Sequence, residues 1–408
     1  MTFTENECKN IAVIGAGPVG MLTALLLAHK GYSVYLIGPP APADELRTTA
    51  LMMPAVRMLQ KLNIWNVLKE HAAALSFMRI IDITSRIVHA PTVNFSSAEI
   101  GEEAFGYNIP NVELNNALIT AVRHMPNIIR LVSFAESFQQ KECHVCITLA
   151  DDTVIQTSLV VAADGRHSLA REAAGIGTRQ WDYPQKALVL NFSHDFSHQN
   201  TSTEFHTEHG PFTQVPLPGN KSSLVWVVSP SRAEELLNME KKEVAKIIED
   251  QMQSMLGTLT LETAIQAWPL SGLISHRFAA NRTVLVGEAA HVFPPIGAQG
   301  LNLGFRDVQT LIDLLPNQIS DFHSKMIVAH YNKCRRSDIL IRSGSVHMLN
   351  SSLLSDMLPI HIMRSVGLGL LRNCSPLRNL FMREGMYPGY GFQEIMQIFP
   401  KKSSKQLH

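Results

Sequence analysis

The chain has 408 residues, of which 46% are hydrophobic and 17% charged, and Lys+Arg balance Asp+Glu at 35 each. This composition is typical of a folded globular protein, and the charge balance argues against a nucleic-acid partner. The polar N-terminus lacks the features of a signal peptide, and no apolar run reaches the ~18 residues that span a bilayer. The chain is therefore expected in the cytoplasm, either free or peripheral on the inner face of the cytoplasmic membrane.

The first informative segment is NIAVIGAGPVGMLTALLLAHKGYSVYLIG, residues 10–38. The apolar run Ile11–Ile14 predicts a buried parallel strand. Residues Met21–His29, rich in Leu and Ala, predict a helix, and Ser33–Ile37 predict a second strand. The segment therefore predicts a βαβ unit of about 30 residues.

Gly15, Gly17 and Gly20 form a GxGxxG between the first strand and the helix. In dinucleotide-binding folds the first glycine permits a tight turn, the second admits a diphosphate, and the third lets helix and strand pack closely. The diphosphate then lies at the positive end of the helix dipole. The three glycines therefore predict that a dinucleotide binds here.

One feature of such a site is missing. An Asp or Glu about 20 residues further on usually holds the ribose, but Gly38 stands at that position. Either Asp44 or Glu45 reaches in from the following proline-rich loop, or the ribose is held more loosely.

A second strand-to-turn pattern occurs in LVVAADGRHSLAREAAGI, residues 159–176. An apolar strand is followed by Asp164-Gly165 and a helix that contains Arg171. Since Asp-Gly after a strand is also common in simple turns, the residues alone leave a structural turn and a ligand contact open.

The hydrophobic pattern changes in the middle of the chain. Residues 181–229 alternate like strands, as do residues 72–98, and together they predict an antiparallel sheet built from two separated insertions. Residues 231–256 predict a helix. Pairs of histidines at 194/198 and 206/209 lie in these strands and turns without an acidic or cysteine partner at helical spacing. They are interpreted as polar residues on a sheet surface, and no metal site is predicted.

The segment RTVLVGEAAHVFPPIGAQGLNLGFRD, residues 282–307, places prolines and glycines between a strand and a helix. Pro295 and the proline before it stiffen the approach. Gly297 and Gly300 leave room for a flat ring to lie on the backbone.

The helix of this segment is expected to start near Leu301. Free N–H groups at Leu301 and Asn302 can then face the electron-rich edge of a ring such as a flavin. Glu288, after the strand, can accept hydrogen bonds from the hydroxyls of a sugar alcohol.

Three motifs, GAGPVG, AADGRHSLAR and GEAAHVFPPIGAQGLNLGFRD, occur in the order found in single-component flavoprotein aromatic hydroxylases. The chain resembles in particular the ubiquinone-biosynthesis hydroxylase family that acts on polyprenyl phenols. The third motif, with Arg306-Asp307, is the family-specific one. Weaker matches extend almost end to end, including RTTAL at 47–51, FGYNIPNVEL at 105–114 and YNKCRRSD at 331–338.

The resemblance implies that FAD is the cofactor. By this match, the first motif holds the FAD diphosphate, Asp164-Gly165 lies near it, and Arg47 and Asn111 lie beside FAD. Glu288 stands where the family usually has Asp, so its contact with the ribityl chain is expected to be shifted rather than lost.

The resemblance also implies the reaction. NAD(P)H or another donor reduces FAD, O2 adds at the flavin C4a carbon, and the hydroperoxide hydroxylates the aromatic ring of a prenylated phenol. No side chain is assigned as the catalytic base; His291 is interpreted as a loop-packing residue.

The implied fold is mixed α/β (α+β). Its parts are a Rossmann-like FAD-binding domain (1–71, 99–180 and 270–340), an inserted antiparallel-sheet substrate domain (72–98 and 181–269) and a helical C-terminal region (341–408).

Residues 356–384 contain four arginines, 364, 372, 378 and 383, with no acid between the ends of the segment. A basic, apolar helix pair can lie on an anionic membrane or contact a ubiquinone-synthesis complex. It can equally cover the flavin domain or a subunit interface. The sequence does not predict the oligomeric state.

Two other functions stay open at this point. One is hydroxylation of a small soluble phenol, and the other is a non-catalytic FAD-binding scaffold of a ubiquinone-synthesis complex.

Overall fold

The structure of the protein, a computed structural model, describes residues 10–40, 45–85, 89–294, 299–316, 326–339 and 358–387. Strands and helices are numbered along the chain. A six-stranded sheet in the order β19-β20-β12-β1-β2-β8 is parallel except for the β19–β20 pair. Its strands are β1 (Ile11–Ile14), β2 (Val34–Ile37), β8 (Ile128–Leu131), β12 (Leu159–Ala162), β19 (Ala279–Ala280) and β20 (Thr283–Leu285). The predicted βαβ unit is confirmed.

Two three-stranded sheets flank this layer, in the orders β3-β7-β4 and β11-β10-β9. Their strands are β3 (Thr48–Met52), β4 (Ala73–Ala74), β7 (Gly106–Pro110), β9 (Ala135–Gln140), β10 (Val145–Leu149) and β11 (Val154–Thr157).

The largest sheet has nine strands, and both predicted insertions contribute to it. It consists of β5 (Phe77–Asp82), β6 (Val93–Ser96), β13 (Thr178–His194), β14 (Thr201–Thr207), β15 (Gly210–Leu217), β16 (Lys221–Val228), β17 (Leu259–Leu261), β18 (Gln266–Ser275) and β21 (His291–Val292). The expectation of a wholly antiparallel sheet was wrong at one place, because β5 and β14 pair in parallel. These strands come from separate insertions, so no hairpin forces them to run in opposite directions.

The helices are α1 (Pro18–His29), α2 (Met53–Lys61), α3 (Trp65–Leu68), α4 (Asn111–Arg123), α5 (Leu169–Ala173), α6 (Pro230–Asn238), α7 (Lys241–Gln251), α8 (Gln299–Leu314), α9 (326–339), α10 (Leu358–Asn373) and α11 (Ser375–Met386). Helix α1 starts before the predicted Met21, because Gly17 is its N-cap and Pro18 suits the first helical position. The single helix predicted over 231–256 was wrong: Glu240 forms a capping box with Glu243 and starts a second helix.

Two of the four histidines interpreted as surface residues are not at the surface, whereas His209 is exposed as expected. His194 and His206 are buried, at 6% and 2% exposure. His194 is satisfied inside, with Nδ1 2.7 Å from the carbonyl of Phe196 and Nε2 3.0 Å from Ser222 Oγ. Within the described ranges no group of three or more His, Cys, Asp or Glu side chains could hold a metal ion.

The mixed α/β fold class is confirmed. The division of the chain into three sets of ranges stays a prediction; strands of the large sheet cross two of its boundaries, since β13 begins at Thr178 and β18 ends at Ser275. No helix in the described part of the chain has both the length and the apolar character needed to cross a membrane.

Candidate functional site

The first glycine turn joins β1 to α1 and combines two tight contacts with one open position. A Cβ on Gly15 would lie 2.1 Å from the carbonyl oxygen of Ala163, and one on Gly20 would lie 1.9 Å from the carbonyl oxygen of Gly15. At Gly17, the N-cap, no described residue other than its chain neighbours places an atom within 4 Å of the Cβ position. The outer glycines therefore let backbone pack on backbone, and the open one faces space that a diphosphate can enter.

The Asp164-Gly165 turn lies directly beside the first one, because β12 and β1 are neighbours. A Cβ on Gly15 would be 2.8 Å from the backbone nitrogen of Asp164. Oδ2 of Asp164 accepts a hydrogen bond from Ala170 N at 3.2 Å, and its buried Oδ1 has no partner among the described residues. Burial raises the pKa of this carboxyl, although hydrogen bonds from Ser168 and Ala170 oppose the shift. Asp164 therefore stabilises the first turn of α5 through its hydrogen bond with Ala170 N.

The third motif leads into α8, which begins at Gln299, two residues before the predicted start. Gly300 and Leu301 lie in its first turn, where backbone N–H groups have no partner within the helix. Among the described residues, no atom beyond the chain neighbours and the helix's own backbone lies within 4 Å of a Cβ position on Gly300. Pro295 and Gly297 lie outside the described residues.

The starts of α1 and α8 touch each other. A Cβ on Gly304 would lie 2.8 Å from Cγ2 of Val19 and 3.2 Å from Cα of Gly287. Glycine at 304 thus lets the second turn of α8 approach the first turn of α1. Since each helix start carries partial positive charge, the pair suits a ligand with a diphosphate at one end and an electron-rich ring at the other.

Asn302, in the same first turn of α8, uses its side chain to hold β3. Its Oδ1 accepts a hydrogen bond from Met52 N at 2.9 Å, and its Nδ2 donates to the carbonyl of Ala50 at 2.7 Å. The side-chain amide of Asn302 therefore makes the two hydrogen bonds with the backbone of β3 that a neighbouring strand would make. The backbone of Asn302 stays a predicted cofactor contact.

Arg47, Asn111 and Glu288 come together beside this strand. The backbone nitrogen of Asn111 donates to the Arg47 carbonyl at 3.0 Å. The Arg47 guanidinium donates from Nε to Glu45 at 2.8 Å and lies 5.1 Å from the centre of the Trp268 ring. The hydrogen bond with Glu45 raises the pKa of Arg47, and the negative charge of Glu288 adds to the rise. The structure thus places Glu288 within electrostatic reach of Arg47.

Asp307, the last residue of the third motif, is fully buried and forms an ion cluster with neighbouring side chains. Its Oδ2 accepts hydrogen bonds from Gly287 N and His291 Nε2, both at 2.8 Å, and its Oδ1 accepts from Arg335 Nε at 2.6 Å. Burial alone raises the pKa of Asp307, but the charges of His291 and Arg335 and the hydrogen bonds outweigh it and lower the pKa. His291 is thus held against Asp307, in keeping with its interpretation as a packing residue.

One face of the nine-stranded sheet lies beside β3 and carries both valines and small polar side chains. Val189, Val225 and Thr213 are neighbours on β13, β16 and β15, and all three are partly exposed. Ser223, two residues before Val225 and on the same face, lies 3.0 Å from the Thr48 hydroxyl of β3. We call this the β3-facing sheet face. The opposite face is buried under α6 and α7.

Two contacts of the site were not found from the sequence. Trp268, whose ring lies under the Arg47 guanidinium, belongs to no recognisable sequence motif. Arg335, the partner of Asp307, lies in the YNKCRRSD match, and its charge opposite to the family-specific Asp307 was the available clue.

The glycine turn before α1 and the N-terminal part of α8, brought together by Val19, Gly287 and Gly304, suit the two ends of FAD, as is expected of an FAD-binding flavoprotein. The model of the FAD binding domain family matches residues 8–339. Ubiquinone hydroxylase UbiL from Rhodospirillum rubrum is 30% identical over 95% of this chain and 91% of the relative. The 3-demethoxyubiquinol 3-hydroxylase of Escherichia coli is 30% identical over 89% and 94%, respectively.

Solved structures show the same fold at low sequence identity. Pseudomonas aeruginosa PqsL in complex with 2-aminobenzoylacetate has a TM-score of 0.76 at 19% identity, covering 88% of this chain and 99% of that one. The p-nitrophenol 4-monooxygenase PnpA from Pseudomonas putida DLL-E4 has a TM-score of 0.75 at 18% identity, covering 93% and 97%. The chain belongs to the FAD binding domain family and, within it, to the FAD-dependent hydroxylases of ubiquinone biosynthesis. It is accordingly an FAD-dependent monooxygenase.

Two glycine substitutions should separate folding from cofactor binding. We expect Gly20→Ala to lower the free energy of unfolding by about 3 kcal/mol, because its Cβ meets backbone. We expect Gly17→Ala to cost at most about 1 kcal/mol through a poorer helix cap, yet to raise the FAD dissociation constant at least about tenfold, because its Cβ enters the diphosphate space. Urea unfolding and flavin fluorescence titration measure the two effects. Gly369→Ala, at an open position of α10, is the control; unchanged FAD binding in Gly17→Ala would contradict the assignment.

The Asp307 cluster predicts a large cost for Asp307→Asn. We expect a loss of about 3 kcal/mol of unfolding free energy, because buried Arg335 loses one of its two carboxylate partners and keeps only Asp338. We also expect weaker FAD binding, because one amide oxygen replaces the two carboxylate oxygens that hold Gly287, His291 and Arg335. Since the pKa of Asp307 is lowered on folding, its contribution is complete above the unfolded-state pKa and disappears only as pH falls through the folded-state value. The penalty should therefore be constant across neutral pH. Asp313→Asn, exposed on the same helix, is the control; equal stability of the two variants would refute this view.

Proposed function

We propose that the protein hydroxylates the aromatic ring of a polyprenylated phenol in ubiquinone biosynthesis, with O2 as co-substrate and NAD(P)H as electron donor. The observation that carries the proposal is the position of the β3-facing sheet face with its partly exposed Val189 and Val225. Strand β3 is bound on one side to the start of α8 by Asn302 and on the other to this sheet face through Thr48 and Ser223. The names of the relatives support the same substrate class and do not favour a small soluble phenol or a non-catalytic scaffold.

The residues of the chain would position the reaction rather than carry its chemistry. Bound FAD supplies the oxygen-activating redox chemistry. The turn around Gly17 would hold the diphosphate, and the first-turn amides of α8 would orient the ring. The partly exposed Val189 and Val225 would bind apolar parts of the substrate and keep water from the reacting ring.

A charge on the β3-facing sheet face should discriminate between substrates. We expect Val225→Asp to raise the KM for a prenylated phenol at least about tenfold, because a carboxylate beside an apolar chain loses hydration, while FAD affinity stays unchanged. Val67→Asp, at a position 66% exposed on α3, is the control. Product formation is measured by mass spectrometry alongside substrate-stimulated NAD(P)H oxidation.

The outcomes of this assay decide between functions. A higher kcat/KM for a phenol without a prenyl chain would support the small-phenol alternative. Protein that binds FAD but shows no substrate-stimulated oxidation with any phenol tested would support a scaffold.

Each of the two C-terminal helices exposes two large apolar side chains. Val366 and Leu370 on α10 and Leu377 and Phe381 on α11 are 56%, 53%, 39% and 58% exposed. Each pair is spaced by four residues and so shares one face of its helix. We call these four residues the tail patch.

We propose that the tail patch attaches the protein to an anionic membrane in which the prenylated substrate is dissolved, placing it at the inner face of the cytoplasmic membrane. Arg372 is exposed near the C-terminal end of α10, where a cation can contact anionic headgroups. Fewer arginines are available for headgroups than the sequence predicted, because Arg378 forms an ion pair with Glu99 at 2.7 Å. This ion pair holds α11 to the body of the protein. The side chain of Arg364 lies outside the described residues.

Two acidic substitutions test the tail patch. We expect Val366→Glu with Leu370→Glu to weaken binding to phosphatidylglycerol vesicles at least about tenfold, because two apolar side chains no longer enter the bilayer surface, with no effect on FAD affinity. The matched control is Val67→Glu with Val154→Glu, at positions 66% and 58% exposed elsewhere. Equal sedimentation of both double variants with vesicles would rule out membrane attachment through this patch.

A further inference from the structure

The carboxyl ends of β1, β2 and β8 meet at one edge of the parallel sheet. The glycine turn follows β1 at this edge, and Gly38 follows β2 at the place where dinucleotide folds usually carry an acid for the ribose. Glu45, one of the two acids considered as a substitute, forms an ion pair with Arg47 at 2.5 Å. The other, Asp44, lies outside the described residues.

The structure explains why no acid stands at Gly38. A Cβ there would lie 2.8 Å from the backbone nitrogen of Ala16 and 3.3 Å from Cα of Gly15. The backbone φ of Gly38 is 153°, which also disfavours a side chain. The first glycine turn is thus packed against the end of β2, and any side chain at position 38 would displace it.

A cation lies at this edge. Arg130 stands near the end of β8, paired in register with Leu36. Its Nη1 donates to the carbonyls of Leu36 at 3.0 Å and Leu131 at 2.6 Å, and its Nη2 donates to the carbonyl of Gly38 at 2.5 Å. The half-buried guanidinium is thus held across the ends of β2 and β8.

The hydrogen-bonding capacity of Arg130 is only partly used. A guanidinium has five N–H donors, and the three bonds to carbonyls leave Nε–H and one Nη2–H for a ligand. In the part of the chain that the structure describes, Arg130 has no carboxylate partner. Burial lowers the pKa of Arg130, but an arginine remains charged at neutral pH.

We propose that Arg130 recognises the adenosine ribose of FAD. It reverses the usual polarity of this contact: the ribose hydroxyls accept hydrogen bonds from a guanidinium instead of donating them to a carboxylate. The positive charge also favours the nearby diphosphate, which an acid at this place would repel. This contact concerns the AMP half of the cofactor and goes beyond the proposed function, since it holds whichever phenol is hydroxylated.

The test uses full-length apoprotein and ligands that differ only in the ribose. ADP and 2′,3′-dideoxy-ADP each compete with FAD, and flavin fluorescence reports the displacement. Wild-type protein should bind ADP about tenfold more tightly than the dideoxy compound, the size expected for hydrogen bonds to a charged group. In Arg130→Gln this preference should fall to less than about twofold.

Two controls keep the result separate from a folding defect. Arg123→Gln, exposed at the end of α4, should keep the full preference for ADP. FMN lacks the adenosine, so its affinity should be unchanged in Arg130→Gln while FAD affinity falls about tenfold.

Three results would overturn the proposal: an unchanged preference for ADP in Arg130→Gln, equal binding of both ADP compounds by the wild type, or an equal loss of FMN and FAD binding. None of these measurements involves a phenol. Failure here is therefore distinguishable from failure of the proposed hydroxylation.

Discussion

The buried carboxylate of Asp307 is the contact on which the geometry of the site depends. It accepts hydrogen bonds from the backbone of Gly287, the ring of His291 and the guanidinium of Arg335, three groups from two separate parts of the chain. Withdrawing such charges from water costs several kcal/mol per ion, so each group is stable inside only while the others stay in place. The segment after β20, the middle of α8 and helix α9 are consequently fixed as one unit.

This fixed unit determines where a cofactor can lie. Gly287 and Gly304 meet Val19, which sets the start of α8 against the start of α1. Asn302 then ties β3 to α8, and β3 carries Arg47 to the edge of the site. One buried charge thus aligns both helix starts and, through β3, the wall of the large sheet. The geometry of the FAD site therefore depends on the buried Asp307 cluster.

Features set by neighbouring residues could be predicted from the sequence, and those set by distant residues could not. The βαβ unit and its three glycines follow from a local pattern, and the structure has them as predicted. The break at Glu240 was missed because a Glu cap is less distinctive than Ser or Thr. The pairing of Asn302 with β3 joins residues about 250 positions apart, and no spacing rule reaches that far. His194 was misplaced because its burial depends on strands that follow it.

The parallel pairing of β5 with β14 has a consequence for synthesis on the ribosome. Strand β5 pairs with β6 on one side, but its partner on the other side is β14, so Phe77 cannot pair with Thr201 until the ribosome has synthesised β14. At roughly 5–20 residues per second that interval is on the order of ten seconds. During this time the nascent chain carries an unpaired strand edge outside the exit tunnel, where chaperones or stray β-strands can reach it.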